Sequence, residues 1–429
     1  MTRPGRAADV LTVVPDDVTL DPTALIERLS RLSVRGLTQM YEPRSRSFPH
    51  SVRAGGGEAP PAPHGLNVRY TAIAALGLSR MDAPTRRRVL ADEDLADLLP
   101  GILGLALAGR DPGALALAVW AAGEIAGIVP DAVLAQSDRL SRALDRLVTT
   151  VPASGPFPTV EHAWTTIALL QATSTPQFDV PRSVLSSLEE ATRRAVSRLR
   201  DAQGTSGLFP HHVPPDTLSR FRYHVSCFAD QAYAVQALAR YAAATGDAEA
   251  LASAGRCADR LVALQGERGQ WWWHYDWRYG RVVEAYPVYS VQQYAIAPMA
   301  LLELWEAGGP DHREAVARGL TWLLRHPEAR GELILDDAGV VWRTVSRREP
   351  RKLVRKMRSA ASAARPGRRL GWLDALFPPG RIDQECRPFE LGWILYAWHP
   401  AAPVALVRAE SDSAGVHFSG APETAGECA

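Results

Sequence analysis

Lysine is almost missing from this chain of 429 residues: Lys352 and Lys356 are the only two, and arginine supplies the remaining positive charge. That skew reads as base composition of the gene, not as function. Cysteine is scarce too, and Cys227, Cys257, Cys386 and Cys428 show no close pairing. A disulfide-dense scaffold is thereby excluded and a reducing compartment expected. Net charge is nearly absent at +1, so no global field draws nucleic acid, and none is expected as a partner. No apolar run is long enough to span a bilayer. The most apolar region, 102–129, is broken by Arg110, Asp111, Pro112, Gly113 and Glu124 and reads as two buried helices. The opening MTRPGRAADVLTVVPDD has no apolar stretch of secretory-signal length, so a cytoplasmic location is expected. Regularly spaced alternating β-branched runs are also missing, which argues against a sandwich or a parallel sheet.

What is present is a recurring punctuation mark, Gln-x-x-x-Gly-x-aromatic. It occurs at Gln203, Gly207 and Phe209, and again at Gln265, Gly269 and Trp271. Weaker copies are Gly155 with Phe157, Gly331 with Leu333, and an early Phe48. The final positions 48, 157, 209, 271 and 333 are separated by 109, 52, 62 and 62 residues, the first gap being about twice the others. A unit of this size holds two helices and a turn, which predicts a ring or solenoid of helical hairpins. The expected mechanics are local. The Gln caps its own helix, the Gly takes a left-handed conformation, and the aromatic fills the wedge between hairpins, worth roughly 2–3 kcal/mol.

About twelve helical stretches make six hairpins. They are 22–41, 69–81, 95–108, 114–128, 131–149, 160–173, 182–201, 225–245, 248–265, 288–307, 311–325 and 388–398. Charges recur on one face of 131–149, 182–201 and 248–265, as in outer helices, whereas 114–128, 160–173, 225–245 and 288–307 are apolar or small almost all round and belong inside. Alternating outer and inner helices signal an all-α (α/α)6 barrel, expected as one domain over 19–405 between flexible tails at 1–18 and 406–429.

The two strong turns carry a resemblance. Gln265-Gly-Glu-Arg-Gly-Gln-Trp271, preceded by Arg260-Leu261, resembles the QW repeat of squalene and oxidosqualene cyclases. Gln203-Gly-Thr-Ser-Gly-Leu-Phe209, preceded by Arg198-Leu199, resembles its variant in prenyltransferase β-subunits. The resemblance implies the α/α toroid, a layout to which six-hairpin carbohydrate enzymes are also similar. It does not choose an activity.

In such a ring the N-termini of inner helices line one mouth, and polar residues gather at those places. Arg69 and Tyr70 enter the first inner helix, and Glu161 and His162 a later one. Arg222, His224, Asp230 and Tyr233 surround the next. The densest stretch holds Trp272, Trp273, His274, Asp276, Glu284, Tyr286, Tyr289 and Gln292, and the last holds Glu385, Arg387 and Glu390. Burying so many polar groups is costly unless they meet a ligand or one another, so a polar, aromatic-lined pocket is expected. Trp271, Trp272 and Trp273 are consecutive and cannot all face one way; one is expected in the wedge and one in the cavity. Glu385 and Glu390 also have a structural reading, as partners of Arg387 and other arginines.

Isoprenoid chemistry lacks its acids. No DxDD is present, and Asp336-Asp337 continues Ala-Gly-Val instead of DDxxD. His224, Cys227 and Asp230 share a helix face, but no short metal signature exists; neither metal nor cofactor is expected. Sugar chemistry fits the residue types better. Trp272, Trp273, Tyr286 and Tyr289 suit pyranose faces, and Asp276, Glu284, Glu385 and Glu390 supply acid–base carboxylates. Arg69, Arg222 and Arg387 suit uronate carboxylates, and His274, His224 or a tyrosine can abstract a proton. The expectation is a carbohydrate-active hydrolase, lyase or epimerase with a small-molecule or glycan substrate, set against an isoprenoid enzyme of cyclase or prenyltransferase type and a non-catalytic scaffold. A basic insertion at 347–370 has apolar Leu353, Val354 and Met357 among its arginines; its 347–369 stretch is a candidate for peripheral membrane contact.

Overall fold

The computed structural model describes residue 6 and residues 21–53, 62–150, 157–180, 182–215, 218–368 and 370–399, the side chains of 62–65, 182, 183 and 351 excepted. The expected C-terminal tail lies outside these residues, as does all of the N-terminal one but Arg6. That arginine is buried, with Nε and Nη2 donating to Glu306 and Nη1 to the Ala397 carbonyl.

Six inner helices form a closed circuit. They are α2 (Val68–Leu78), α5 (Pro112–Ala126), α8 (Thr159–Ser174), α10 (Phe228–Thr245), α12 (Ala297–Glu306, entered through a π-helical turn at Gln292–Ile296) and α16 (Pro388–Trp398). Each packs against the next, and α16 returns to α2. Outside them run α1 (Pro22–Met40), α4 (Leu95–Ala108), α7 (Ser137–Thr150), α9 (Arg182–Ala202), α11 (Ala248–Ala263) and α13 (Arg313–Leu324), with the short α3 (Ala83–Val89) on the path from α2 to α4. The architecture is the expected (α/α)6 toroid. Inner α5 is buried on every side, from Gly113 to Gly123, whereas outer α7 buries only Leu140, Ala143, Leu144 and Leu147. This is the contrast that separates a helix inside two layers from one facing water. The ring closes at a backbone contact: a Cβ on Gly77 of α2 would lie 2.3 Å from the Gly392 carbonyl oxygen of α16. No helix among the described residues is long and apolar enough to cross a membrane.

Differences from the sequence expectation have local causes. The stretch 131–149 is two helices, α6 (Pro130–Leu134) and α7, because the chain turns at Ala135–Gln136. Small sheets appear that periodicity did not reveal. Their strands are β1 (Pro49–Arg53), β2 (Ala62–Leu66), β3 (Phe157–Pro158), β4 (His212–Val213), β5 (Val225–Cys227), β6 (His274–Asp276), β7 (Arg281–Glu284), β8 (Val288–Tyr289), β9 (Ile334–Leu335), β10 (Val340–Val341), β11 (Thr344–Arg347), β12 (Pro379–Asp383) and β13 (Glu385–Cys386). Strands of two to five residues are too short to show alternation. They have a common use: β2, β3, β5, β8 and β13 each lead directly towards an inner-helix N-terminus.

The repeated turn also works differently from expectation. The Gln does not cap its own helix; it ties one hairpin to the next. Gln203 Nε2 donates to the Gly207 carbonyl (2.8 Å) and to the Ser253 carbonyl of α11 (2.9 Å), while its Oε1 accepts from Ser253 Oγ and Arg256 Nη2. One repeat later, Gln265 Nε2 donates to the Gly269 carbonyl (3.0 Å) and the Ala315 carbonyl of α13 (2.8 Å), and Oε1 accepts from Arg318. The buried aromatics are held by further amides. Phe209 N–H donates to Gln231 Oε1 and Trp271 N–H to Gln293 Oε1, both glutamines being on inner elements. At the early copy, Phe48 N–H donates to Thr71 Oγ1 of α2.

The basic insertion is a docked element. It contains α14 (Leu353–Ala364) and is followed directly by the short α15 (Trp372–Leu376). Val354, Ser359 and Ser362 face inward, with Ser359 Oγ donating to the Phe221 carbonyl and Ser362 Oγ reaching Asp276 Oδ2 at 3.5 Å.

Two outcomes follow for the scaffold. Gly269 has φ +92°, and a Cβ there would sit 2.0 Å from the Arg318 carbonyl oxygen, whereas Gly246 at φ +75° has open space around it. Gly269→Ala should therefore cost about 3 kcal/mol or more and Gly246→Ala about 1 kcal/mol, as read from urea unfolding. His162 is buried between α8 and α9, with Nε2 donating to the Ala195 carbonyl, and burial lowers its pKa from 6.5 to about 4. A depressed histidine contributes stability above pH 6.5 that is lost as pH falls towards 4, about 3 kcal/mol in all. Melting temperatures of His162→Gln should fall less steeply over that window than those of the wild type.

Candidate functional site

The polar residues at the mouth are there partly because helix starts need them. Asn67 caps α2 by accepting from the amides of Arg69 and Tyr70, and Asp111 caps α5 by accepting from Gly113 and Ala114. Asp230 and Glu390 are the third residues of α10 and α16, each accepting from the backbone N–H at the start of its own helix, Cys227 and Arg387. Orphan amides of this kind attract carboxylates and amide oxygens, so the ring concentrates them around one opening.

A cavity of about 430 Å³ opens there. Of the expected site residues, Arg69, Tyr70, Tyr233, Trp273, Tyr289 and Gln292 line it, with Asn67, Trp164, Arg343, Phe389 and Trp393 completing much of the wall. Gln292 is 1% exposed, and neither its Oε1 nor its Nε2 has a hydrogen-bond partner. Buried amides are rarely left so; here the amide belongs to a π-helical turn at the cavity wall, and such turns often mark functional sites.

Carboxylates stand one residue behind this wall. Arg69 donates through Nε and Nη2 to Asp111, and through Nη2 to Glu161. Arg343 donates to Glu390 Oε1 at 3.1 Å and lies 3.7 Å from Glu385 Oε2. Arg387 donates to Glu385 (2.9 Å) and to the Tyr70 hydroxyl (2.8 Å). The two glutamates are driven apart. Burial pushes Glu390 up to about 7, a rise that Arg343 and Arg387 oppose without cancelling. For Glu385 burial also pushes upward, but Arg387, Arg343 and Arg53 win and hold it below its ordinary value. At Asp111, likewise, the Arg69 bond and the helix amides outweigh burial and keep the carboxyl low.

His274, Asp276 and Glu284 are elsewhere. All three are buried in the β5–β6–β7 sheet, where His274 pairs with Glu284 across the strands. Asp276 accepts a fork from Arg278 Nε and Nη2, and Glu284 is held by Arg347 and Arg358. Burial, with nearby Arg355 and Arg222 adding to it, keeps His274 strongly neutral. Trp272 and Tyr286 face a second, larger hollow beneath the insertion. The three consecutive tryptophans thus divide as their spacing requires: Trp271 fully buried in the wedge, Trp272 in the second hollow and Trp273 in the central cavity. His162 lies inside the scaffold, His224 is buried with both ring nitrogens unpartnered, and Arg222 is exposed.

Among the described residues one trio could hold a metal ion: His211, Cys227 and Asp230 bring ligand atoms within 4.8 Å of one another. His211, not His224, completes the set with Cys227 and Asp230, because its Nδ1 lies 2.9 Å from Asp230 Oδ2. Asp230 raises the pKa of His211, against burial. Cys227, Cys257 and Cys386 are buried free thiols, and burial pushes each upward in pKa.

Sequence reasoning missed Arg343 and Asp111. Asp111 carried a signal, since it precedes Pro112 at an inner-helix start, the position where the other candidates were found. Arg343 carried none: it enters from the turn before β11.

No family model matches the chain and no curated protein is similar to it in sequence. Solved structures share its fold. The crystal structure of an unsaturated glucuronyl hydrolase specific for heparin aligns with a TM-score of 0.57 at 11% identity, covering 87% of this chain and 95% of the other. The unsaturated glucuronyl hydrolase of Bacillus sp. GL1 gives 0.54 at 14% identity, over 88% and 95%. A wild-type glycosidase gives 0.55 at 13% identity, over 89% and 98%.

The inequality between the two glutamates is directly measurable. In carbon-detected NMR, the Glu390 carboxyl should titrate near pH 7 and Glu385 below the ordinary glutamate range. Arg343→Gln removes a group that lowers both, so both midpoints should move up.

Proposed function

We propose that this protein is a carbohydrate-active enzyme whose central cavity takes an oligosaccharide or polysaccharide unit bearing a carboxylated sugar. The observation that carries the reading is the cavity wall. Trp164, Trp273, Tyr289 and Trp393 offer ring faces for a pyranose, Arg69 and Arg343 offer guanidinium groups, and Gln292 offers an unpartnered buried amide. A purely aromatic wall would suit an isoprenoid; two arginines and a free amide favour a polar, anionic ligand. The fold is shared with solved structures named as glucuronyl hydrolases and glycosidases, which is consistent with this reading.

Arg343 is the hinge of the proposed chemistry. It is bonded to Glu390 and close to Glu385. A ligand carboxylate that engages Arg343 competes with these residents. Glu390, already near 7, rises further when the arginine's charge is shared and holds a proton at neutral pH. Glu385 remains ionised beside Arg387. Two carboxyl groups pushed in opposite directions make a general acid and a general base. Neither glutamate lines the cavity while Arg343 covers them; once the arginine turns to the ligand, protonation of a glycosidic oxygen by Glu390, with Glu385 activating water, would be hydrolysis, which we favour over elimination and epimerisation because the two unequal acids are what it requires.

The test is a panel of saturated and unsaturated uronate oligosaccharides with neutral counterparts, scored for products by mass spectrometry. Turnover should be confined to the acidic members. Glu390→Gln and Glu385→Gln should each lower kcat by roughly 10²–10⁴ with binding largely kept. Equal turnover of neutral sugars would overturn the uronate assignment, and an unaffected kcat in both variants would overturn the acid–base one.

A further inference from the structure

The second hollow has a volume of about 970 Å³ and runs between the β6–β7 hairpin with the end of α11 on one side and the insertion on the other. Its charge is one-sided. Arg260, Arg281, Arg347, Arg358 and Arg368 line it, against Asp374 as the one lining acid among the described residues. Not all of that positive charge is free. Arg347 and Arg358 are ion-paired with buried Glu284 and half-exposed Asp374. Arg260 donates through Nη2 to the Gly280 carbonyl, and its buried Nε, like that of Arg358, has no partner. Arg281 and Arg368 are exposed and form no ion pair among the described residues. Trp272 and Tyr286 stand in the same wall with ring centroids 5.9 Å apart, and Arg347 lies over the Tyr286 ring.

We propose that this hollow is a binding site for an oligoanion, a chain carrying several carboxylate, sulfate or phosphate groups with faces that aromatic rings can cover. Three features carry it together. Arginines converge on one concavity from α11, β7, β11, α14 and the α14–α15 loop, where Glu284 and Asp374 relieve only part of their mutual repulsion. Two guanidinium Nε atoms are buried without an acceptor, which is costly in a finished structure. The remaining compensation, Asp374, is half exposed on the short α15 and is the acid an incoming anion would displace most readily. Planar forks that bind oxyanions bidentately are the natural partners of carboxylate, sulfate and phosphate. The proposal stands apart from the central cavity and holds whether or not that cavity is catalytic.

Exposed Trp372 and Leu376 beside the hollow raise a different occupant, an anionic bilayer. The concavity favours the soluble chain, because its arginines point into a hollow that a flat surface does not enter.

Isothermal titration of the full chain with a sulfated hexasaccharide that contains no uronate, inorganic triphosphate and neutral maltohexaose tests this, alongside co-sedimentation with phosphatidylserine vesicles. The hexasaccharide should bind and maltohexaose should not; triphosphate binding would show that anionic groups alone suffice. Arg281→Glu with Arg368→Glu should weaken the hexasaccharide at least tenfold, since both side chains are exposed and their loss leaves the scaffold intact. Asp374→Asn should strengthen it, an effect that damage to the fold does not produce. Arg69→Gln, in the central cavity, should leave this affinity unchanged, which separates the two sites. Undiminished binding by the double variant, equal binding of maltohexaose, or binding to vesicles without binding to the hexasaccharide would each overturn the proposal.

Discussion

Closure of the ring depends on two helices touching at their backbones. α2 and α16 come from opposite ends of the chain, and Gly77 and Gly392 let them approach until only Cα surfaces separate them. Any side chain at either place would hold the ring open. With the circuit closed, the inner helices share one axis and their N-termini converge, so the caps of separate helices become neighbours. The cavity is therefore a product of closure. Asn67, Asp111 and Glu390 are local helix-start residues in sequence; in space they belong to one basin of charge.

The Gln–Gly–aromatic turns set the pitch of the outer layer in the same way. Each Gln accepts and donates across the gap to the following outer helix, and each aromatic is fixed by a glutamine of the inner one. A two-layer hairpin cannot bury its inner helix alone, and these bridges define where the next hairpin must lie. That is why the 62-residue rhythm was visible without coordinates: both members of each bridge repeat at the same interval.

The sequence made the toroid legible because inner and outer helices differ in how many faces they bury, and α5 and α7 show this contrast without ambiguity. Tyr233, Tyr289 and Gln292 were legible as cavity residues because they sit near inner-helix starts, and a cavity place for one of Trp271–Trp273 because three consecutive rings cannot all face one way. The partition of the rest was not. His274, Asp276 and Glu284 occupy a strand pair too short to be seen as strands, and cross-strand register, not sequence distance, decides what they face. The insertion was read as a basic amphipathic stretch, but its serines dock it. Arg343 was invisible because it acts from a turn whose position is fixed only by β11 pairing with β8 and β12.

Trp272 and Trp273 are adjacent in the chain and look into different hollows. A single peptide unit is thus a party wall. The strand that follows it, β6, is pinned by β5 on one edge and β7 on the other. With the backbone held on both edges, each ring keeps to its own side of that wall.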